Sequence, residues 1–255
     1  MEAAKEHKID LFVKTNSECF LGMFELTTEK KPDFVLFWDK DILLAKYLAS
    51  CGIPVYNSAD GIEICDDKRK TALALSLQNL PQPLTFPAPM TYENIGFTQL
   101  DFLSQIESKL VFPIIVKEAF GSFGQQVYMA KDHKELSELT KKLENVPFLY
   151  QQYIRESSGR DIRLQVVGDE VVAAMERTSD TDFRANVSNG GKMHVYQPDK
   201  EAVELAVKAC RAVKCDFAGV DLLFGREGYL VCEVNSNAHF KNLLDCTKVN
   251  TAWYI

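Results

Sequence analysis

The segment from Gly219 to Asn237 constrains the fold of this chain more than any other. Two short runs rich in apolar residues, 220–224 and 229–234, flank a turn that contains two glycines, which predicts a β-hairpin. If the turn has three residues, Asp221 lies directly opposite Glu233 on the neighbouring strand. Like charges in that position repel each other. The predicted hairpin therefore has an acidic face that a cation would stabilise.

The polar residues on this face predict a site for a divalent ion. Since side chains alternate along a strand, Asn235 lies on the same side as Glu233, while Cys232 and Val234 point the other way. Carboxylate and amide oxygens suit Mg²⁺ or Mn²⁺, and magnesium held by one or two carboxylates usually has nucleotide phosphates among its other ligands. The alternative for the hairpin alone is a polar face exposed to water.

A second segment predicts a loop that covers phosphates. The run Phe112–Lys117 has the composition of a strand, and it is followed by Gly121-Ser122-Phe123-Gly124 and by a further strand at 125–129. A glycine-containing loop lets backbone N–H groups approach a phosphate closely, and Lys117 supplies a positive charge nearby. A tight turn without a ligand is the competing interpretation of the loop alone.

Charge and cysteine usage exclude several classes of protein. The formal net charge of −7 argues against nucleic acid as a partner, because binding to phosphate backbones requires a basic face. The 7 cysteines are odd in number and include no Cys-x-x-Cys pair, which indicates reduced thiols rather than disulfides or zinc. No signal peptide and no apolar run of about 18 residues is visible, so we expect a cytoplasmic protein that does not use a membrane.

The order of the predicted elements indicates an α/β (α+β) fold in three parts. Residues 1–80 contain a strand–helix–strand unit typical of a small parallel-sheet domain, after a helix at 2–9 and a short strand at 11–13. A proline-rich stretch from Pro81 ends the helix at 68–77 and marks a boundary. We expect a central part at 81–148 with the glycine-rich loop and a C-terminal part at 149–255 with the metal site. Since such sheets usually begin with a strand, we expect the chain to be clipped at its start.

In this order the motifs resemble the ATP-grasp superfamily and, within it, the RimK-like glutamate ligases. The resemblance extends from Asn57 to about Asn250 and is densest in 112–124, 150–186 and 218–237. It includes the runs Gly-Arg-Asp-Ile-Arg at 159–163, Val-Val-Gly-Asp-Glu-Val-Val-Ala-Ala-Met-Glu-Arg at 166–177 and Asp-Phe-Arg-Ala-Asn at 182–186. After Asn235 many relatives have serine-proline-glycine, whereas this chain reads Ser-Asn-Ala-His-Phe, which puts the acceptor pocket in question.

The resemblance implies a role for each matching position. Arg184 and Asn186 match a basic loop that faces the γ-phosphate and the acyl intermediate, and the hairpin residues match the metal ligands. The implied metal ligands are Asp221, Glu233 and Asn235. The implied nucleotide-binding residues are Lys68, Lys117, Gly121, Ser122, Phe123, Gly124, Gln152, Tyr153 and Asp161. For Lys68 the competing interpretation is an exposed lysine in a first helical turn, and for Asp161 it is an ion pair with Arg160 or Arg163.

The resemblance also implies a reaction: an ATP-dependent ligase that joins a carboxylate to an amine through an acyl phosphate, with ATP and Mg²⁺ (or Mn²⁺) as cofactors. The implied partners are a small-molecule or protein-terminal carboxylate and an amino acid such as glutamate, and a homo-oligomer remains open. A phosphotransferase and a non-catalytic nucleotide-sensing module are the alternatives. The kinase motifs His-Arg-Asp and Asp-Phe-Gly and the P-loop Gly-Lys-Ser/Thr are absent from the sequence, which disfavours the first.

Overall fold

The computed structural model describes residues 2–19, 31–122, 124–185 and 190–255 of the chain. The helices in these ranges are α1 Glu2–Glu6, α2 Ile42–Ser50, α3 Ala59–Asp66, α4 Lys68–Leu77, α5 Phe102–Lys109, α6 His133–Lys142, α7 Lys200–Ala212 and α8 Lys241–Thr247, with 3₁₀ turns at Asn16–Cys19, Arg155–Ser157 and Thr251–Trp253. The strands are β1 Val35–Leu36, β2 Val55–Tyr56, β3 Thr85–Pro87, β4 Ile114–Glu118, β5 Val127–Ala130, β6 Phe148–Gln152, β7 Arg160–Val167, β8 Glu170–Thr178, β9 Lys192–Val195, β10 Phe217–Gly225 and β11 Gly228–Asn235.

The N-terminal part is the expected strand–helix–strand unit. Strands β1 and β2 pair in parallel, and α2 connects them. Asp41 caps α2 by accepting a hydrogen bond from the backbone N–H of Leu44 at 3.0 Å, which satisfies a donor that a helix start leaves free. Phe37, Ala45, Ala59 and Ile62 form the small buried core of this unit.

A four-stranded antiparallel sheet in the order β3-β6-β4-β5 forms the central part. Helices α5 and α6 contribute buried side chains such as Leu103 and Leu136 to one core with this sheet. Asp132 caps α6 and accepts from the N–H of Glu135, as a capping box at these positions predicts. Strand β6 crosses the boundary expected between residues 148 and 149, and it hydrogen-bonds with β3 and β4 of this sheet.

A five-stranded antiparallel sheet in the order β11-β10-β7-β8-β9 forms the C-terminal part. Helix α7 packs against one face, where its alanines and Leu205 lie among buried valines and leucines of β7, β10 and β11. Cys65 of α3 and Leu75 of α4 belong to the same core. Leu243 of α8 packs with Ala173 and Met175 of β8 in a smaller core. The N-terminal helices are therefore part of the layer that covers the C-terminal sheet.

Several predicted elements differ from the structure. Residues 11–13 form no strand, since all three are partly or fully exposed and pair with no other described strand. Helix α3 and strand β9 had no clear sequence signal. Among the described residues, no helix is long and apolar enough to span a membrane.

Candidate active site

A cleft with a volume of about 120 Å³ lies between the four-stranded sheet and the five-stranded sheet. Strands β4 and β6 line one side of the cleft, strands β7, β8, β10 and β11 line the other, and the loop after β4 contributes as well. Predicted site residues that line it are Lys68, Lys117, Gly121, Ser122, Gly124, Gln152, Tyr153, Asp161, Arg184, Asp221 and Glu233.

The hairpin β10–β11 places Asp221 opposite Glu233, as predicted, but its turn and its register differ from the prediction. Gly225 pairs with Gly228, so the turn has two residues rather than three, and the register shifts by one between Asp221 and Leu222. Cys232 is the additional residue, a β-bulge on β11. Val231 and Val234 are both buried, three positions apart, because the bulge changes the alternation. The prediction that Cys232 points away from Glu233 is thus wrong, since both line the cleft.

Asp221 is buried and paired with two guanidinium groups. Arg163 donates to both carboxylate oxygens, from Nε at 2.6 Å and from NH2 at 2.7 Å, and Arg177 approaches Oδ2 at 3.0 Å. Only 4% of Asp221 is exposed. Burial alone would raise the pKa of this carboxyl, but the charges of Arg163 and Arg177 lower it to about 2.

Asp161 and Arg177 extend this arrangement into a four-residue network. Arg177 donates to the two oxygens of Asp161 from Nε at 2.6 Å and from NH2 at 2.8 Å. The two residues are opposite each other on β7 and β8, and Arg163 is opposite Asp221 on β7 and β10. Two aspartates balance two arginines, so the network is formally neutral. Burial raises the pKa of Asp161. Burial alone would lower the pKa of Arg177, but the charges of Asp221 and Asp161 raise it.

Glu233 and Asn235 have oxygen atoms that are available to a cation. The Glu233 carboxylate lies 4.0 Å from the Lys68 ammonium, and its side chain is 32% exposed. Asn235 donates from Nδ2 to the carbonyl of Gly219 at 3.5 Å, and its Oδ1 accepts no hydrogen bond from the described residues. Asn235 does not line the cleft itself.

This donor set fits a divalent ion in part. The described residues contain no group of three His, Cys, Asp or Glu side chains arranged as a metal centre. Glu233 and the Asn235 amide are suitable hard ligands, whereas Asp221 would have to share its oxygens with Arg163 and Arg177. The residues thus fit a cation that is held mainly by Glu233 and Asn235.

Two lysines provide positive charge at the floor of the cleft. Lys117 on β4 lies 3.6 Å from the Cys232 sulfur, measured from Nζ to Sγ. Lys68, at the start of α4, donates to the carbonyl oxygen of Gly121 at 3.0 Å. Burial lowers the pKa of Lys68, although nearby Glu233 opposes this, and burial raises the pKa of Cys232. The cleft therefore concentrates donors for an anionic ligand.

Basic side chains donate hydrogen bonds to both ends of the glycine loop. Lys68 contacts the carbonyl of Gly121, and Arg184 donates from NH1 to the carbonyl of Gly124 at 2.6 Å. Asp182 in turn fixes Arg184, because it accepts from Nε at 3.0 Å and from NH2 at 2.7 Å. The two cations that were predicted to bind phosphate thus also position the loop.

Residues 65–255 match the family of RimK-like ATP-grasp domains, which is three quarters of the chain. The chain belongs to this family. The predicted fold class, the family and the class of ATP-dependent carbon–nitrogen ligases are therefore confirmed. Asn57 and the strands β1 and β2 precede the matched residues of this RimK-like chain.

Named relatives of this RimK-like chain include ligases that use glutamate. Tetrahydromethanopterin:alpha-L-glutamate ligase of Methanocaldococcus jannaschii is 35% identical over 228 residues, which are 85% of this chain and 74% of the relative. N-acetylaspartylglutamate synthase A of Homo sapiens is 33% identical over 79% of this chain and 51% of the relative. The ATP-grasp ligase PsnB, solved with minimal precursor, Mg and ADP, has a TM-score of 0.62 and 20% identity, covering 83% of this chain and 63% of PsnB.

The structure of this RimK-like chain differs from the sequence-based assignments at several residues. Asp161 pairs with Arg177 rather than with Arg160 or Arg163, the two partners considered from sequence. Phe123 and Asn186, assigned to the nucleotide and to catalysis, lie outside the described residues. Sequence reasoning missed Arg163 and Arg177 as site residues, although the register of β7 with β8 and β10 places them beside Asp161 and Asp221.

Proposed function

We propose that this chain is an ATP-dependent carboxylate–amine ligase that adds glutamate or a similar amino acid to an acceptor carboxylate through an acyl phosphate. ADP and inorganic phosphate are the other products. The observation that supports this most is the pairing of Asp221 with Glu233 across β10 and β11, in a cleft that also contains Lys68 and Lys117. Acidic and basic groups are brought together there from three separate parts of the chain.

In the proposed reaction the chain acts through position and charge. Lys68 and Lys117 bind the nucleotide phosphates, and the backbone at Gln152 and Tyr153 holds the adenine. Arg184 faces the phosphoryl group that moves from ATP to the acceptor carboxylate. The loop at 121–124 excludes water, which would otherwise hydrolyse the acyl phosphate.

Glu233 and Asn235, with Asp221, would hold Mg²⁺ or Mn²⁺, which supplies charge to neutralise the nucleotide phosphates. The amine of the incoming amino acid then attacks the acyl carbon, the C–N bond forms, and the C–O bond to phosphate breaks. Holding these groups in reacting geometry accounts for a large part of the rate enhancement in such reactions. Arg163 and Arg177 keep the Asp221 carboxylate ionised and fixed.

The names of the relatives support glutamate as the amine, and the acceptor is either a small molecule or the carboxyl end of a protein. The test incubates the chain with ATP, Mg²⁺, glutamate and a set of acids, and follows ADP release and product mass. A product heavier than the acid by one glutamate less one water, formed only when all components are present, supports the proposal. ADP release that is insensitive to both acid and amine contradicts it.

One observation favours a second candidate, a nucleotide-sensing module without turnover. Both oxygens of Asp221 already accept hydrogen bonds from Arg163, and Arg177 is close to one of them. In a sensing module these arginines would keep the metal away, so ADP would bind with equal affinity with and without Mn²⁺. Tighter binding of ADP in the presence of Mn²⁺ favours the ligase.

A further inference from the structure

Asn57 is a buried side chain that contacts the acidic hairpin from outside the matched family domain. It lies directly after β2 and is 0% exposed. The match to the family model begins at residue 65, eight positions later in the chain. The carboxamide nevertheless reaches the first residue of β10, Phe217, and the residue directly after β11, Ser236. Its contacts are to backbone atoms alone, so its position depends on the path of the two strands.

Each end of the Asn57 carboxamide makes two hydrogen bonds. Nδ2 donates to the carbonyls of Phe217 and Ser236, both at 2.8 Å. Oδ1 accepts from the N–H groups of Asp216 at 2.8 Å and Phe217 at 3.1 Å. A carboxamide has two N–H donors and an oxygen with two lone pairs, so its hydrogen-bonding capacity is fully used. Such a set of bonds allows little displacement of either strand.

These four contacts lie at the open end of the hairpin. The last paired residues of β10 and β11 are Gly219 and Asn235, and Ser236 follows Asn235 directly. Asn57 therefore continues the ladder beyond its last pair, since its two N–H bonds join the two strands. Asn57 thus bridges the two chain segments directly beyond the Gly219–Asn235 pair.

Other contacts bring the N-terminal unit to the same place. The ring of Trp38 stacks on Phe217, with the centroids 5.0 Å apart and the planes at 13°. The Ser58 hydroxyl donates to the carbonyl of Lys214 at 3.3 Å. Ser58 thus hydrogen-bonds to the turn before β10 rather than to the hairpin, and it provides a matched neighbour for comparison.

We propose that Asn57 is a positioning residue for the metal-binding hairpin, which makes the N-terminal unit part of the active site. The inference rests on the proposed function, because it assumes that Glu233 and Asn235 hold a divalent ion. Residues that orient metal ligands without touching the ion still change the metal affinity when they are substituted. Substitution of Asn57 should therefore weaken the metal site more than it weakens the nucleotide site.

The test compares Asn57→Asp and Asn57→Ser with Ser58→Ala in the full chain. Asn57→Asp keeps the shape but turns an oxygen toward the carbonyls of Phe217 and Ser236, and Asn57→Ser shortens the side chain. Free Mn²⁺ is measured by electron paramagnetic resonance during titration into protein saturated with ADP. ADP affinity in EDTA and the melting temperature are measured on the same samples.

We expect the Asn57 variants to raise the Mn²⁺ dissociation constant roughly 10-fold or more. ADP affinity in EDTA should stay at the wild-type value. Ser58→Ala should lower the melting temperature, since it removes the cap of α3, and leave the Mn²⁺ affinity unchanged.

Four outcomes would overturn the inference or its basis. Wild-type Mn²⁺ affinity in folded Asn57 variants contradicts the positioning role. Equal losses of Mn²⁺ and ADP affinity, or variants that fail to fold while Ser58→Ala folds, show that Asn57 acts on the whole molecule and also reject it. A wild-type protein that binds ADP but no Mn²⁺ contradicts the proposed function instead.

Discussion

At the scale of single residues, the surroundings of Asp221 have two opposing effects on the charge of its carboxylate. Its carboxylate is buried, which destabilises the charged form, yet two guanidinium groups keep it ionised. A buried ion pair adds little net stability compared with an apolar replacement, but removal of one partner leaves an uncompensated charge. Asp221 is therefore important for the fold as well as for the proposed metal site.

We expect Asp221→Asn to lower the free energy of unfolding by about 3 kcal/mol, because Arg163 loses its only carboxylate partner among the described ion pairs. Glu233→Gln is the matched comparison, since Glu233 is partly exposed and its partner among the described ion pairs, Lys68, is 4.0 Å away. Urea denaturation of both variants and of the wild type measures the difference. Equal stability of the two variants would contradict the structural role of Asp221.

The pH dependence of stability provides a second check on the same residue. The pKa of Asp221 is about 2 in the folded protein and 3.8 for an unperturbed aspartate, so the unfolded chain binds more protons between these values. The stabilising contribution of Asp221 is present above pH 3.8 and is lost as the pH falls toward 2. We expect this loss in wild-type urea titrations and not in those of Asp221→Asn.

Glu233→Gln should reduce ligase turnover about 100-fold or more, because it removes a negative oxygen ligand from the proposed metal site. The fold should remain, as circular dichroism and the melting temperature can show. Glu227→Gln, at the exposed tip of the same hairpin, is the control. Turnover that is equal in the two variants would contradict the assignment of Glu233.

At the scale of elements, the loop at 121–124 and its two basic contacts form a unit. Lys68 comes from α4 and Arg184 from the segment after β8, so the ends of the loop are attached to different parts of the chain. Asp182 fixes the Arg184 guanidinium, and the hydrogen bond from Arg184 lowers the pKa of Asp182. A phosphate that binds to these cations would compete with the loop carbonyls for the same donors.

We expect Arg184→Ala to increase amide hydrogen exchange in residues 121–127 roughly 10-fold, because the bonds to the carbonyls of Gly124 and Val127 are lost. Arg226→Ala removes an exposed arginine that pairs with Glu156 at the hairpin tip, so it should leave this exchange unchanged. Mass spectrometry of exchanged peptides measures both variants. Unaltered exchange in Arg184→Ala would show that the loop is held by other contacts.

Elements with local signals were predictable from sequence, and those fixed by long-range pairing were not. Helix α7 follows from Asp199, which caps it, and from its repeating apolar residues. Strand β9 has only four residues and pairs along β8, so its sequence alone contains little information. The partner of Asp161 could not be predicted either, because Arg177 becomes its neighbour only through the β7–β8 register.

At the scale of the whole molecule, the N-terminal unit and the C-terminal sheet form one structure. Asn57, Trp38 and Ser58 contact the region around β10, and Cys65 lies with its sulfur 3.6 Å from that of Cys215. Both thiols are buried, in line with the reduced cysteines that the sequence predicts. The boundary of the family match at residue 65 therefore passes through a packed region.

We expect a fragment of residues 65–255 to lose cooperative unfolding, because it lacks the side chains that cover Phe217 and bridge β10 with Ser236. A chain of residues 31–255 retains those side chains and is the control. Thermal unfolding followed by tryptophan fluorescence and calorimetry compares the two. A cooperative transition in the shorter fragment at the temperature of the control would show that the N-terminal unit is dispensable for stability.

Because of the bulge at Cys232, the position of Glu233 opposite Asp221 depends on the number of residues in β11. Because side chains alternate, loss of Tyr229 or Leu230 with the bulge retained would move Glu233 by one position along β10, onto the face that packs under α7. Changes of residue type at the tip leave this spacing intact, whereas changes in residue number do not. Engineers who graft peptides into this hairpin should therefore preserve the number of residues on its returning strand.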